Sequence, residues 1–441
     1  MEGLIPLVDR IFPVPRRFRS RLEADVAELS RLLTSGRSER DGGYLGRPGL
    51  LSAYLHYFLP WNVYRLCRLF SSPGWDLSLA EGDGIIDLGS GPLTLPIALW
   101  TARPELRGLR LEFRCVDRTG AVLEAGKRIF EALALGGLSA EAASVPAASM
   151  PSASVNSGGA VHAGGGAGRW TIKTIRSAWD APLSGGRAKL VTAVNMFNEV
   201  RTVSGEGERA AVRLAALCRE EGSILVVEPG LPRSGAFIAA LRSALLDRGR
   251  PPLAPCLHGG NCPLPGNPGR GRGRAKWCHF AFETGDAPKN LHRLSAAAGI
   301  PKERAVLSFL LAGPRSGGAS RGEDAGAAAS VPAASMPAVS AVRRSLAVRI
   351  ISDPFPIPAS VPAASLPSAS MPSASMPGQK QRLGRYGCSA EGLVLVVSVP
   401  AASVPSASMP GGLHSGTLLE LPLPAGERRD SKSGALLLEL P

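Results

Sequence analysis

Apolar positions along residues 16–34 recur at Phe18, Leu22, Val26, Leu29 and Leu33, in steps of four, four, three and four. That period predicts an amphipathic helix. Arg16, Arg17, Arg19, Arg21 and Arg31 decorate it, either as a solvated face or as a basic surface for nucleic acid. A second helical stretch, Leu50 to Phe70, is interrupted by Pro60 and gathers Tyr54, Tyr57, Trp61 and Tyr64. From Gly84 the pattern alternates between element types. Ile85-Ile86 form a short buried strand, Leu93 to Trp100 a helix, and Leu111 to Val116 a second strand ending at Asp117. Residues 120–134 read as a helix, Lys189 to Phe197 as a strand, 207–220 as a helix and Ser223 to Val227 as a strand ending at Glu228-Pro229-Gly230. Strands alternating with helices predict an α/β fold with a mainly parallel sheet.

Repeats interrupt this pattern. The phrase Ser-Val-Pro-Ala-Ala-Ser-Met-Pro begins at Ser144, with close variants from Ser330, Ser360 and Ser398 and Pro at every fifth position. The tracts 144–154, 330–340, 360–377 and 398–410 hold no charged or aromatic residue, yet they hold five of the seven Met, so a Met-rich binding surface is not indicated. Pro at that spacing forbids helix and weakens strand pairing. The tracts read as extended insertions into a pre-existing fold, with a functional linker as the rival reading.

Composition narrows the class. Gly 52 and Pro 38 in 441 residues exceed ordinary usage, but 44% hydrophobic residues still supply a sizeable core. Lys and Arg outnumber Asp and Glu by 50 to 36, a formal charge of +14 that favours acidic partners such as RNA. No apolar run free of Pro is long enough for a membrane span, and no secretory signal is visible. Seven Cys, an odd number in a long chain, do not make a disulfide framework, so a reducing cytoplasm is expected.

Two constellations carry chemistry. The first is Asp87-Leu88-Gly89-Ser90-Gly91-Pro92, a Gly-rich turn between strand and helix. Such glycines let a ligand approach the backbone at the strand ends. Position 94 is Thr, so the G-x-G-x-x-G fingerprint is incomplete, and no P-loop Lys is present. Asp-x-Gly-x-Gly is instead the opening motif of class I S-adenosylmethionine methyltransferases. Asp117, at the tip of the second strand, is placed to accept the ribose hydroxyls of a nucleoside cofactor, or to cap the following helix.

The second constellation is Cys256, Cys262 and Cys278, spaced C-x5-C and C-x15-C among Pro and Gly, with His258 and His279 nearby. Thiolates so grouped can hold a soft metal, iron–sulfur or zinc; three unrelated buried thiols are the alternative. Pro255-Cys256 also has the form of a nucleophile for cytosine C5 methylation, but a metal accounts for Cys256 together with its neighbours.

Taken together, Tyr57-Phe58-Leu59-Pro60-x-Asn62 with Arg65, the Asp87 to Pro92 loop, Glu228-Pro229-Gly230, and Ala254-Pro255-Cys256 through Trp277-Cys278-His279-Phe280 make the sequence resemble one family. It is similar to the Rsm-type methyltransferase-like proteins of the small ribosomal subunit, whose mitochondrial members assist subunit assembly. The resemblance runs from about Tyr54 to Cys388. It implies a class I S-adenosylmethionine methyltransferase fold, with Asp87, Gly89, Gly91 and Asp117 at the cofactor. It also implies a 4Fe-4S cluster, favoured over zinc, on Cys256, Cys262, Cys278 and a fourth ligand, Cys388. Small-subunit rRNA is the implied partner. Leu93 stands where Gly commonly follows the loop's Pro, and the loop before Trp277 is enlarged by Arg270, Arg272, Arg274 and Lys276.

The expected organisation is an N-terminal helical region at 1–80 and a cofactor-binding domain at 81–250 with an insertion at 142–168. A Cys-cluster region follows at 251–397, with repeat insertions at 330–340 and 360–377, then a low-complexity tail at 398–441. Two function classes remain: a methyltransferase acting on rRNA, and a non-catalytic assembly factor that keeps the cofactor fold with the Cys group as a structural iron–sulfur or zinc site. Asn198 and Glu199 are placed near the strand end where transfer would occur, and no convincing catalytic base is visible.

Overall fold

The computed structural model describes residues 3–34, 36, 44–72, 75–136, 161–162, 169–198, 205–264, 277–316, 345–357, 382–398, 413, 415–423, 428–430 and 433–440. Apart from Ser398 and Val161–His162, the four repeat tracts and the 142–168 insertion lie outside these residues, as do Glu199 and the Arg270 to Lys276 loop. The chain divides into two units that are discontinuous in sequence. One comprises Met1–Pro251 with Ala281–Arg315, the other Pro252–Phe280 with Ser316–Pro441.

The first unit opens with helices. α1 (Leu4–Ile11) buries Leu4, Ile5, Leu7 and Val8. The helix expected over 16–34 is two pieces, α2 (Arg16–Arg19) and α3 (Leu22–Leu33). α3 buries Val26, Leu29 and Leu32, whereas α2 has no fully buried residue and its Phe18 is only half-buried. α4 (Pro48–Ala53) passes through a π turn, Tyr54–Phe58, into α5 (Leu59–Phe70). Pro60 has no N–H to donate within the helix, and the wider turn lies immediately before it. α5 buries Trp61, Val63, Tyr64, Leu66 and Phe70. Large side chains of this kind contribute roughly 1.5–3 kcal/mol each on full burial.

The sheet follows. Its strands are β1 (Gly84–Leu88), β2 (Leu111–Asp117), β3 (Val161–His162), β4 (Trp170–Arg176), β5 (Ala188–Val194) and β6 (Cys218–Pro229). β7 (Pro252–Ala254) and β8 (Phe280–Glu283) are short, and β9 (Arg304–Ala312) completes the first unit. Within that unit the order is β3-β4-β2-β1-β5-β6-β9. β4, β2, β1, β5 and β6 are mutually parallel; β3 and β9 run antiparallel to their neighbours. Helices α6 (Thr94–Ala102), α7 (Gly120–Ala134), α8 (Glu206–Leu217), α9 (Pro232–Leu246) and α10 (Lys289–Ala297) lie between strands in sequence. This is the expected α/β fold. The chain builds outward from β1 through β2 to β4, then returns to β5 on the other side of β1. Such a reversal opens a crevice at the carboxyl ends of the strands, where α/β sheets bind ligands. Residues 281–315 join this unit because β9 pairs with β6, and because α5 hydrogen-bonds them: Trp61 Nε1 donates to Ser295 Oγ at 3.2 Å and Tyr64 Oη to Glu283 O at 2.8 Å.

The second unit holds its own sheet of β10 (Ser345–Ile350), β11 (Phe355–Ile357), β12 (Arg382–Ser389), β13 (Gly392–Ser398), β14 (Leu418–Pro422) and β15 (Leu436–Glu439). β10 pairs antiparallel with both β12 and β14, and β12 antiparallel with β13; β13 and β15 are parallel. Leu346, Val348, Ile350, Val394, Val396, Leu421, Leu436 and Leu438 form its core. The expected low-complexity tail therefore contributes two strands. Leu419 and Leu421, and Leu436 and Leu438, turn alternate side chains inward, which a structureless tail does not do.

Candidate cofactor loop and cysteine centre

The loop after β1 turns through left-handed backbone at Gly89 (φ 65°), Gly91 (φ 54°) and Leu93 (φ 56°). Two of the contacts around it are close. A Cβ added at Gly89 would lie 2.5 Å from Met196 Cγ. One added at Gly126, on α7, would lie 2.2 Å from the carbonyl carbon of Pro92, so α7 packs directly on the loop backbone. At Gly91 an added Cβ would meet only the Tyr54 hydroxyl, at 3.8 Å, which leaves that side of the loop open. Leu93, where a glycine was noted as usual, adopts the left-handed conformation all the same and is fully buried.

Two carboxylates stand at the strand ends. Asp87 is 1% exposed. Thr192 Oγ1 donates to its Oδ1 at 2.7 Å, while its Oδ2 is buried with no hydrogen-bond partner. Burial pushes the Asp87 carboxyl up to about 6, the Ser90 and Thr192 hydroxyls act against this, and Asp117 adds to it. Asp117 accepts from the Gly91 N–H at 3.1 Å and from the Thr119 N–H at 2.8 Å. Its carboxyl is also raised by burial, against those hydrogen bonds. The contact to Thr119 spans two residues and precedes α7, so it forms a turn rather than a cap on the helix. Asp87, Gly89, Gly91 and Asp117 thus lie together at the carboxyl ends of β1 and β2.

On the neighbouring strand end, Glu228 is fully buried and accepts from the backbone N–H groups of Phe197 (2.9 Å) and Asn198 (2.8 Å). Arg233 donates to both oxygens of Asn198. Asn198 is therefore tied down, with its side-chain oxygen engaged.

A feature that sequence reasoning missed lies beyond Tyr54. The Arg65 guanidinium donates to Asn62 Oδ1 at 2.9 Å and is held below its ordinary range by burial. Lys302 Nζ sits over the Tyr57 ring, 5.9 Å from its centroid, and burial, then Arg65, bring its ammonium down to about 8. The charges acting on Arg65 come from Tyr57 and Tyr54, and the one acting on Lys302 is Arg65 itself; among the described residues no carboxylate acts on either. Arg65 belongs to the motif noted above; Lys302, in a Pro-Lys-Glu-Arg turn, carries no sequence signal. A cavity of about 560 Å³ lined by Arg114, Lys173, Arg187 and Arg219 opens instead beside Gly84 and Glu112, near the start of β1 and β2, away from the loop.

In the second unit the four cysteines come together. Cys388 lies on β12, in register with Arg349 of β10 and Leu393 of β13. The Cys278 thiol is raised well above the ordinary range, first by burial and then by Cys256, Cys388 and Cys262, with Arg349 opposing. Arg349 is itself influenced by Cys256, Cys278 and Cys388. His258 Nε2 is 3.7 Å from Cys388 Sγ, whereas His279 stacks on Trp277 and its Nδ1 meets the Trp277 carbonyl at 3.0 Å. Among the described residues no three His, Cys, Asp or Glu side chains close to the spacing of a metal-ion site. Neither an iron–sulfur cluster nor zinc is shown. Cys67, Cys115 and Cys218 lie in the other unit; Cys67 donates to Ala98 O and Cys218 to Ser223 O.

Residues 166–343 match the family described as mitochondrial small ribosomal subunit Rsm22. The match takes in β4 to β9 and three of the four converging cysteines. A comparison with curated proteins found no match. Among solved structures, this chain is similar to a SAM-dependent methyltransferase from Thiobacillus denitrificans in complex with S-adenosyl-L-homocysteine. That pair shares 13% identity over 57% of this chain and 91% of the other, at a TM-score of 0.29. A Geobacter sulfurreducens SAM-dependent methyltransferase in the same kind of complex shares 12%, over 57% and 91%, at 0.30. The 16S rRNA methyltransferase KamB shares 13%, over 54% and 89%, at 0.29. Among the described residues no helix is long and apolar enough to cross a membrane.

Proposed function

We propose that this chain binds S-adenosylmethionine at the Asp87–Gly91 loop and acts on the RNA of the small ribosomal subunit. The observation that carries the reading is the meeting of two carboxylates at the strand ends, Asp87 buried with an orphaned oxygen and Asp117 half-buried beside the loop. A ligand that brings positive charge and hydroxyls to them offsets a desolvation cost the protein alone leaves unmet. S-adenosylmethionine, when bound, supplies a methyl group on a positively charged sulfur. Asp87 Oδ2 would accept from its amino group, and Asp117, with lone pairs left on both oxygens, from its ribose hydroxyls. Gly91 leaves the backbone open to the ligand, with Tyr54 beside it. The uncompensated pair Arg65 and Lys302, on the Tyr54 side, would receive an anion, and an RNA phosphate fits both its charge and the family.

The cysteine group is assigned, within the same proposal, to an iron–sulfur cluster on Cys256, Cys262, Cys278 and Cys388. Four thiolates are the ligand set of such a cluster, and Cys278 lies within electrostatic reach of the other three. Bound there, the cluster would tie the 252–280 segment to β12. A reducing compartment suits such thiols; the word mitochondrial belongs to the family's description.

One observation favours a second reading, an assembly factor without catalysis. Asn198, next to the transfer position, has its side-chain oxygen engaged by Arg233. Mapping small-subunit rRNA modification in cells with and without the protein decides. A methyl group lost with the protein, and not restored by Asp87→Ala, supports the enzyme. An unchanged modification map with defective subunit assembly supports the second reading.

A further inference from the structure

The second unit's strand order closes on itself. Taking β10 with β11 as the first strand, β12 and β13 follow as an antiparallel meander, β15 runs parallel to β13, and β14 returns antiparallel to β10. β14 and β15, the two ends of that path, approach each other with no ladder between them among the described residues. The spatial order is therefore first, second, third, fifth, fourth and back to the first. β10 and β11 act as one bent strand, because both pair with β12: Arg349 and Ile350 with Cys388 and Gly387, then Phe355 to Ile357 with Gly384 to Arg382. Between them Ser352 Oγ accepts the Tyr386 N–H at 2.8 Å and bridges the bend. A five-stranded Greek-key barrel with this order is the oligonucleotide-binding architecture, which binds on the face of its second and third strands and through the loops joining strands one to two and four to five.

The outward side chains of β13, Leu393, Leu395 and Val397, are buried, so the open part of that face is the β11–β12 edge. Gly387 faces inward, since an added Cβ would meet Val348 and Val394 of the core. Tyr386 and Cys388 therefore face outward. Phe355, opposite Gly384, stacks on Tyr386 with ring centroids 5.1 Å apart and planes 28° from parallel. The barrel core is entirely aliphatic. Aromatic rings gain most from full burial, yet this pair sits half-buried on the outer face. Arg382 shares the outer face, and Arg428 and Arg429 stand exposed in the connection between β14 and β15.

We infer that the second unit binds single-stranded RNA on the outer face of β11 and β12, with Phe355 and Tyr386 as the base-stacking platform and Arg428 and Arg429 as phosphate contacts. Bases stack on aromatic faces whatever their sequence, and Arg in a flanking loop tracks the backbone. This deepens the proposed action on rRNA but rests on the second unit alone.

The test uses the full chain and a fluorescein-labelled twelve-nucleotide mixed-sequence RNA, single-stranded or annealed to its complement, followed by anisotropy at several salt concentrations. Single strands should bind more tightly than the duplex. Phe355→Ala and Tyr386→Ala should each weaken binding about tenfold, the scale of one lost base stack. Tyr386→Phe should stay within about twofold, and Arg428→Gln with Arg429→Gln should flatten the salt dependence. Circular dichroism checks folding, and if Tyr386→Ala unfolds, Phe355→Ala decides. Wild-type affinity in Phe355→Ala, or duplex bound as tightly as single strand, overturns the inference. So does retained association of Phe355→Ala with small-subunit particles when wild type binds no RNA, which would give the face to a protein. S-adenosyl-L-homocysteine binding measured on the same samples separates this outcome from failure of the cofactor reading.

Discussion

Replacing Gly126 by Ala should disable the cofactor loop from a helix that the ligand need not touch. The added methyl would lie 2.2 Å from the Pro92 carbonyl carbon, 2.5 Å from its oxygen and 2.6 Å from its Cα. Ordinary contact starts near 3.4 Å, so α7 and the loop must separate by about 1 Å, and no rotamer change relieves a clash with backbone. Overpacking of this severity costs about 3 kcal/mol, and the better helix propensity of Ala returns about 1, leaving a net loss of about 2 kcal/mol. Gly120→Ala is the control: on the same helix its methyl would meet only Arg176 Cδ, at 3.5 Å. Urea unfolding should show a lowered first transition for Gly126→Ala and none for Gly120→Ala. Calorimetry should show S-adenosyl-L-homocysteine binding at least tenfold weaker in Gly126→Ala alone. Equal stability and affinity in the two variants would refute the claim that α7 sets the loop.

Three further outcomes follow from the buried charges and thiols. Asp87 has a folded-state pKa near 6 against an ordinary 3.8, so its charge opposes folding above pH 6 and costs nothing below pH 4. Asp87→Asn should exceed wild type in stability by up to about 3 kcal/mol at pH 7.5, converge with it near pH 4, and lose cofactor affinity; equal stability at pH 7.5 contradicts the burial argument. Lys302, brought down to about 8, opposes folding while charged, and that cost fades as pH rises from about 8 past 10.5. Lys302→Met should raise the urea midpoint at pH 7 and match wild type at pH 10.5, and a lower midpoint at pH 7 would mean an unseen counter-charge. Anaerobically purified protein should carry about four iron and four sulfide per chain; Cys388→Ser should lose most of the iron, whereas Cys67→Ser and Cys218→Ser keep it. Zinc without iron, or full iron in Cys388→Ser, contradicts the assignment.

The first unit was legible because its signals are local. Ile85-Ile86 before a Gly-rich turn, alternation up to Asp117, and Glu228 at a strand end each specify their own place. Even the helix at 120–134 falls where its pattern put it. The second unit was not, for a reason of chain length. Its strands are three to eight residues long, β12 carries Arg, Gly, Tyr and Cys in place of an apolar run, and uncharged repeats interrupt the sequence between β11 and β12 and between β13 and β14. Period-two alternation at Leu436 and Leu438 is visible only once the repeats are set aside. β4 was missed because it follows an insertion, and its burial pattern is irregular after Trp170 and Ile172. The return of 281–315 to the first unit depends on β9 pairing with β6, from Ile224 with Ala312 to Pro229 with Leu307, a long-range contact that no local pattern records. Of the site residues, Asp87 and Asp117 could be found by motif. Cys388 came only from family resemblance, and Arg349 and Lys302 came only from three-dimensional proximity.

The central claim is that the converging strand ends form a nucleoside cofactor site. Calorimetric titration of S-adenosyl-L-homocysteine into the full chain tests it most directly. One saturable site should appear, strongly weakened in Asp117→Ala and in Gly89→Val, whose side chain would drive into Met196. Absence of binding, or the same affinity in wild type and both variants, would contradict it.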